Sequence, residues 1–224
     1  LVAALVLVHS KTPVDRELTG RRMPYYAVFL VLLAGFNGII ITGDLFNLFV
    51  FIEISSLSMY GLIACGGRRA PFAAFRYLIL GTIGASLILL GTGYLYFVTG
   101  TLNMEDLQLM EPLVRDNPAV RVGMLLITTG ILIKMAIFPM HGWLPDSYSL
   151  APSTSSALLS GLGTKVSAYI LIRVLLFVFG IDYIANYIPL GASIAVLSAA
   201  GIVYGSIMAI SQTDLKRMLA YSSI

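Results

Sequence analysis

Cysteine and charge are what this 224-residue sequence has least of. Its single cysteine, Cys65, stands in an apolar stretch, which excludes an intrachain disulfide and a multi-thiolate metal site. Charged residues make up 11% of the chain and hydrophobic residues 58%, whereas soluble proteins carry about 25% charged residues. That ratio excludes a soluble globule. The 14 Lys and Arg against 11 Asp and Glu leave a net charge of +3. Most of these charges sit in short clusters between long uncharged stretches, so the basic excess is a topology signal and not a nucleic-acid footprint. No nucleotide loop, metal-ligand cluster, or quinone or flavin signature is present. No metal and no cofactor is therefore expected, and the energy for any work has to come from an ion gradient or a partner subunit.

What the sequence has in quantity is apolar runs of bilayer length, about 20 residues each. They cover roughly 24–42, 45–65, 71–99, 120–138, 153–178 and 185–210, with a partial run at 1–8. The prediction is an all-α polytopic membrane protein. The partial run has no basic stretch before it and no small-residue cleavage site after it, which argues against a signal peptide. Because the chain opens inside an apolar run and stops at Ile224, a few residues into another, an internal fragment of a longer protein is expected.

Basic residues assign the sides of the membrane. With the segment before the first full span in the cytoplasm, Lys11, Arg16, Arg21, Arg22, Arg68, Arg69, Lys216 and Arg217 all fall inside. The outer loops keep only Arg115 and Arg121 among Glu105, Asp106, Glu111 and Asp116, with a Gly43-Asp44 turn and Asp182. Tyr25, Tyr26, Tyr94, Tyr96, Tyr183 and Tyr187 lie near span ends, as an aromatic belt would. Within 100–119 a short interfacial helix is expected, capped by Asn103, with Glu105 and Asp106 in its first turn and Leu107, Met110 and Leu113 on one side. Gly81 with Ala85, and Gly201 with Gly205, are candidate points of close helix approach.

Three ionisable residues fall at membrane depth, where each costs roughly 2.5 to 3.5 kcal/mol at a helix centre. Glu53 is near the middle of its span, with Ser56 and Tyr60 following at helical spacing; Lys134 lies deep in the fourth span; Lys165 is close to the midpoint of the fifth. None is expected to face lipid. Glu53 with one lysine as a static packing pair is one account, but it leaves a lysine without a partner, and buried pairs stabilise poorly. A proton pathway accounts for all three. Arg76 and Arg173 lie close enough to span ends to snorkel.

The stretch KMAIFPMHGWLPD (134–146) has to interrupt a helix at Pro139, Gly142 and Pro145. A single helix over 120–150 would extend roughly 46 Å, too long for one crossing. Broken helices at membrane depth occur where protein or water covers them, and they mark ion paths in transporters. His141, just past the break, is either a proton relay or a histidine bonded to the freed carbonyls. Trp143 reads as a packing anchor.

The segments GDLFNLFVFIE (43–53), KMAIFPMHGWLPD (134–146), APSTSSALLSGLGTKVSAY (151–169) and QTDLKRMLAYSSI (212–224) closely resemble a proton-translocating membrane family. It is shared by multisubunit Mrp-type cation/proton antiporters and the antiporter-like subunits of respiratory complex I. The wording of 42–53 is most similar to the D-type branch of Mrp Na+/H+ antiporter subunits, with membrane-bound hydrogenase subunits as relatives. The resemblance implies a helix bundle of about fourteen helices with two inverted five-helix repeats. Residues 1–23 would then be the end of a preceding helix and a cytoplasmic loop, 24–178 the first repeat, and 179–224 the first helix of the second repeat and the start of the next. It implies proton transfer through Glu53, Lys134 and Lys165, which match the family's glutamate on the fifth helix and lysines on the broken seventh and the eighth. It also implies other membrane subunits as partners, protons and Na+ as the ions moved, and a prokaryotic plasma membrane. The expected class is a transporter subunit, or a translocase subunit if the assembly is complex I. The family's residue on the broken twelfth helix has no counterpart here.

Overall fold

In the computed structural model, which describes residues 1–18, 20–187 and 190–224 and, of 186 and 187, the backbone only, the described residues form helices and connecting turns. Six helical segments are long and apolar enough to cross a membrane: α2 (Arg22–Ile41), α3 (Leu45–Ala64), α4 (Ala70–Thr99), α6 (Pro118–Met135), a composite segment over Ser153–Phe179, and α11 (Leu190–Ile210). Between them lie α5 (Met104–Val114) and α7 (Leu144–Leu150), preceded by α1 (Val2–Glu17). The composite segment consists of α8 (Ser153–Leu158), a π-helical turn π1 (Leu159–Gly163), α9 (Thr164–Ile172) and a second π-helical stretch π2 (Arg173–Phe179). The chain then runs through α10 (Ile181–Tyr187) and α11 to α12 (Leu215–Tyr221). The last full span is thus helical from Leu190, and Ile188 and Pro189 of the expected 185–210 run lie outside the described residues.

The helix α1 continues well past the apolar run at its start. It extends through His9, Ser10, Lys11 and Thr12 and contains Pro13, so residues expected as loop are helical as far as Glu17. Tertiary contacts make up for the weak local signal: Glu17 Oε2 accepts from the Ser153 N–H at 2.9 Å and Oε1 from the Ser153 hydroxyl at 2.7 Å. The start of α8, which has no side-chain cap of its own, is thereby capped from α1.

Glycines set the closest helix contact. A Cβ on Gly84 or Gly130 would run into the carbonyl of the other, and the same holds for Gly91 and Gly123. The two pairs run in opposite order along α4 and α6, so the helices are antiparallel with backbones touching at two points seven residues apart. Gly81 serves a different purpose, making room for the Tyr60 hydroxyl of α3, and Gly205 lies against the Tyr221 carbonyl of α12.

At one end of the bundle, the starts of α3 and α5 are joined. Leu45 N–H bonds to the Leu102 carbonyl at 2.9 Å and Met104 N–H to the Gly43 carbonyl at 2.8 Å, while Asp44 and Asn103 cap the two helices. The helix α5 buries Met104 and Leu107, whereas Leu113 is 83% exposed. The inward face therefore follows 104, 107 and 114, with Leu113 rotated off it. At the other end, Asp146 lies between Arg76 at 2.7 Å and Arg217 at 3.4 Å, and Lys216 Nζ donates to the Ala151 carbonyl. Arg76 thus meets a carboxylate of α7. Of the tyrosines near span ends, Tyr94 and Tyr96 are exposed, but Tyr25 and Tyr183 are core residues. The Tyr25 hydroxyl lies 2.9 Å from Ser155 Oγ, and the side chain of Tyr187 lies outside the described residues.

Candidate functional site

The centre of the bundle holds an ion pair. Lys134 Nζ lies 3.1 Å from Glu53 Oε1 and donates to Ser56 Oγ at 2.7 Å. The lysine side chain is 5% exposed and the glutamate 24%, so the ammonium is dry while its partner keeps some access to the outside. Glu53 and Ser56 stand three residues apart on α3, on one helix face. Both therefore reach the same ammonium.

Lys134 is the penultimate residue of α6. The helix stops at Met135 because Pro139 has no N–H for the Met135 carbonyl and its ring would collide with it. Ala136 turns the chain with φ 60°. Its N–H bonds to Ile133 and the Ile137 N–H to Leu132, a Schellman closure in which glycine is the usual residue. Pro139 and Gly142 both fall in the irregular run 136–143. Pro145 does not break a helix; it sits in the first turn of α7, where a missing N–H costs nothing. Nothing lies within 4 Å of where a Gly142 Cβ would be, so packing does not demand glycine there.

The Ile133 carbonyl, which already accepts from the Ala136 N–H, takes a second donor in Trp143, whose Nε1 lies 3.1 Å away. Trp143 also stacks on Tyr77 at 3.8 Å, and Tyr77 meets Tyr60 edge to face. This ties the helix end beside Lys134 to α4 and α3. His141 does not bond to the freed carbonyls. It is buried against Phe138 and Tyr204, and its Nδ1 has no hydrogen-bond partner among the described residues.

A void of about 20 Å³ adjoins Lys134, bordered by Ser55, Ser56 and Met59 of α3, Tyr77, and Ser167 of α9. That is room for about one water molecule. Residues 166, 167 and 170 present α9 to this void, whereas Lys165 lies on the other side of the helix. Its ammonium donates to the Ser160 carbonyl at 2.7 Å and is exposed in a cleft of about 270 Å³ shared with Ala136, Thr164, Ser198 and Ser223. Glu53 and Lys134 are therefore in contact, and Lys165 is separated from them by the thickness of α9. The π1 turn accounts for its bond: such a turn leaves backbone carbonyls poorly paired, and the Tyr148 hydroxyl takes that of Leu159 while Lys165 takes that of Ser160. Arg173, half-buried, likewise donates to backbone carbonyls, those of Ile39 and Ile40 at the end of α2. Among the described residues, no group of three His, Cys, Asp or Glu could hold a metal ion.

A carboxylate and an ammonium are thus paired between transmembrane helices, beside a broken helix and a water-sized void. Residues 42–224, which carry all of these features, match the NADH:quinone oxidoreductase/Mrp antiporter transmembrane family. The chain belongs to this family. It is 53% identical over 200 residues to the N subunit of NADH-quinone oxidoreductase of Desulforudis audaxviator, covering 89% of this chain and 40% of that protein. It is 35% identical to the D-type Na(+)/H(+) antiporter subunit of Alkalihalophilus pseudofirmus, again over 89% of the chain and 40% of the relative. A protein in the structure of a membrane-bound sulfane sulfur reductase, an archaeal respiratory membrane complex, superposes with a TM-score of 0.86 at 36% identity, over all of this chain and 46% of that one. The chain thus spans less than half the length of the relatives it matches, as a multi-pass membrane member of the family.

Asp146 is the residue at this level that the sequence did not single out. Its signal was an acidic residue in the first turn of a helix just after a proline; its meeting with Arg76 and Arg217 appears only in the fold. Nothing in a single sequence says which arginines meet it.

Proposed function

We propose that this chain forms a proton-conducting unit of a larger membrane protein, with Glu53, Lys134 and Lys165 as its proton-transfer groups. Residues 24–178 are the first five-helix repeat, with 1–23 preceding it and 179–224 opening the second. The observation that carries this reading is the dry Lys134 ammonium, held by one partly exposed carboxylate next to a void of one water. A buried ammonium is tolerated only while it is paired. When Glu53 swings away, Lys134 has to shed its proton, and the void offers a water to receive it on the side of α9. Return of the carboxylate restores the charged lysine. Lys165, on the far side of α9, is the next acceptor, and His141, buried near the cleft, is a candidate relay beyond it.

Two sources of energy are supported by different observations. The 35% match to an Na(+)/H(+) antiporter supports a monovalent cation (Na+)/proton antiporter of Mrp type, working with other membrane subunits in a prokaryotic plasma membrane. The 53% match to an NADH-quinone oxidoreductase supports a proton pump powered by redox partners, and this match is the stronger of the two. In the full-length complex, Glu53→Gln should abolish proton transport while assembly persists, because the unpaired lysine can deprotonate and so spare the fold. Undiminished transport would leave the pair a static packing contact. Co-purifying iron-sulfur subunits would assign the redox source; sodium-linked proton exchange without any electron donor would assign the antiporter.

A further inference from the structure

The basic end of the bundle contains a cleft of about 710 Å³ between the α3–α4 turn, α7 and α12, lined by Arg68, Arg69, Phe72, Asp146, Ser149 and Arg217. Its charge is unbalanced. Asp146 is shared by Arg76 and Arg217, and neither Arg68 nor Arg69 has an ion-pair partner among the described residues. One carboxylate therefore stands against four guanidinium groups. The Arg217 side chain lines the cleft and is 44% exposed, so its guanidinium can offer N–H donors to an acceptor there besides the one that meets Asp146. The N-terminus of α4 lies beside Arg68 and Arg69; its Ala70 N–H is taken by the Gly67 carbonyl and Pro71 has none, so it adds the positive end of a thirty-residue helix and not a set of open donors.

The cleft lies where a membrane-spanning helix meets water. Immediately along α4 from the arginines, Phe72 and Phe75 are 66% and 57% exposed, so apolar surface continues from the charged rim toward the hydrocarbon. A soluble anion would have no use for that surface. A phospholipid would, because it carries one phosphodiester charge at the headgroup and acyl chains below it. We propose that this cleft binds the phosphate of an anionic phospholipid, with Arg68, Arg69 and Arg217 as its donors and Phe72 against its acyl chain.

The test uses the full-length protein in its purified complex, delipidated in detergent and titrated with phosphatidylglycerol, phosphatidylcholine or inorganic phosphate while its unfolding temperature is followed. Phosphatidylglycerol should raise the midpoint in wild type. The double variant Arg68→Gln with Arg69→Gln should require about 30-fold more of that lipid for the same rise, from roughly one interaction of order 1 kcal/mol lost per arginine. A second double variant, Lys11→Gln with Arg16→Gln, removes the same charge outside the cleft and should titrate like wild type. Equal titration of the cleft variant and wild type overturns the site. Equal weakening of both variants reduces it to general surface charge, and an equal rise with inorganic phosphate excludes the lipid. No response to any lipid, with Arg68 and Arg69 cross-linking to an acidic segment elsewhere in the complex, assigns the cleft to protein instead.

Discussion

Lys165 illustrates how a single side chain can separate two mechanisms. Its ammonium has a carbonyl partner, Ser160 at 2.7 Å, and opens onto a cleft. Charge alone is therefore satisfied without any carboxylate. Arginine in its place would keep both the charge and a donor for that carbonyl, yet it hardly ever deprotonates, its pKa lying above about 12. Lys165→Arg should assemble normally and lose proton flux, measured in vesicles carrying the full-length complex. Wild-type flux would show that no proton passes through this side chain. At this scale the sequence announces a great deal: Glu53, Lys134 and Lys165 are conspicuous because ionisable groups are rare in apolar runs. Which of them meet is not announced, because the pairing depends on helix rotation. Lys134 turns toward α3, while Lys165, on a segment shifted by a π turn, turns the other way.

At the scale of elements, the apolar runs locate the spanning helices to within a few residues, since bilayer thickness dictates their length. The elements that escape such counting are those held by contacts. The helix α1 passes through Pro13 and a polar stretch because Glu17 is anchored on Ser153, and α7 carries in its first turn a proline that local rules read as a stop. Removing the anchor should therefore be felt in another helix. Glu17→Ala deprives the first turn of α8 of its only side-chain acceptor for a backbone N–H among the described residues. At about 1 kcal/mol for a lost cap, amide exchange over residues 153–156 should accelerate roughly five-fold, with little change in α3. Unaltered exchange in α8 would mean that α1 rests on it without stabilising it.

Across the whole molecule, the loops sort by end. Glu17 and Ser153, Lys216 and Ala151, and Asp146 with Arg76 and Arg217 meet at one end, and the joined starts of α3 and α5 lie at the other. The basic loops thus converge on one face, as a single cytoplasmic side requires. In intact cells, a membrane-impermeant maleimide added outside should label Glu105→Cys and leave Arg68→Cys untouched, both made in a Cys65→Ser background. The reverse pattern would invert the molecule in the membrane. Chain order and charge make this arrangement legible in advance. The glycine contacts are not, because with 21 glycines in the chain nothing local marks the four that touch.

Those four glycines also restrict how the bundle can move. Gly84 faces Gly130 and Gly91 faces Gly123, so α4 and α6 fit only in one axial alignment. Displacing either by a helical turn, about 5.4 Å, would set a side chain such as Ile88 where a bare backbone now lies. Piston-like sliding between the two helices is thereby blocked, and only a pivot about the paired glycines remains. Because Lys134 stands one turn beyond Gly130, near the fulcrum, a rocking of α6 would shift its ammonium little. On the proposed relay, the carboxylate on α3 is then the partner that travels.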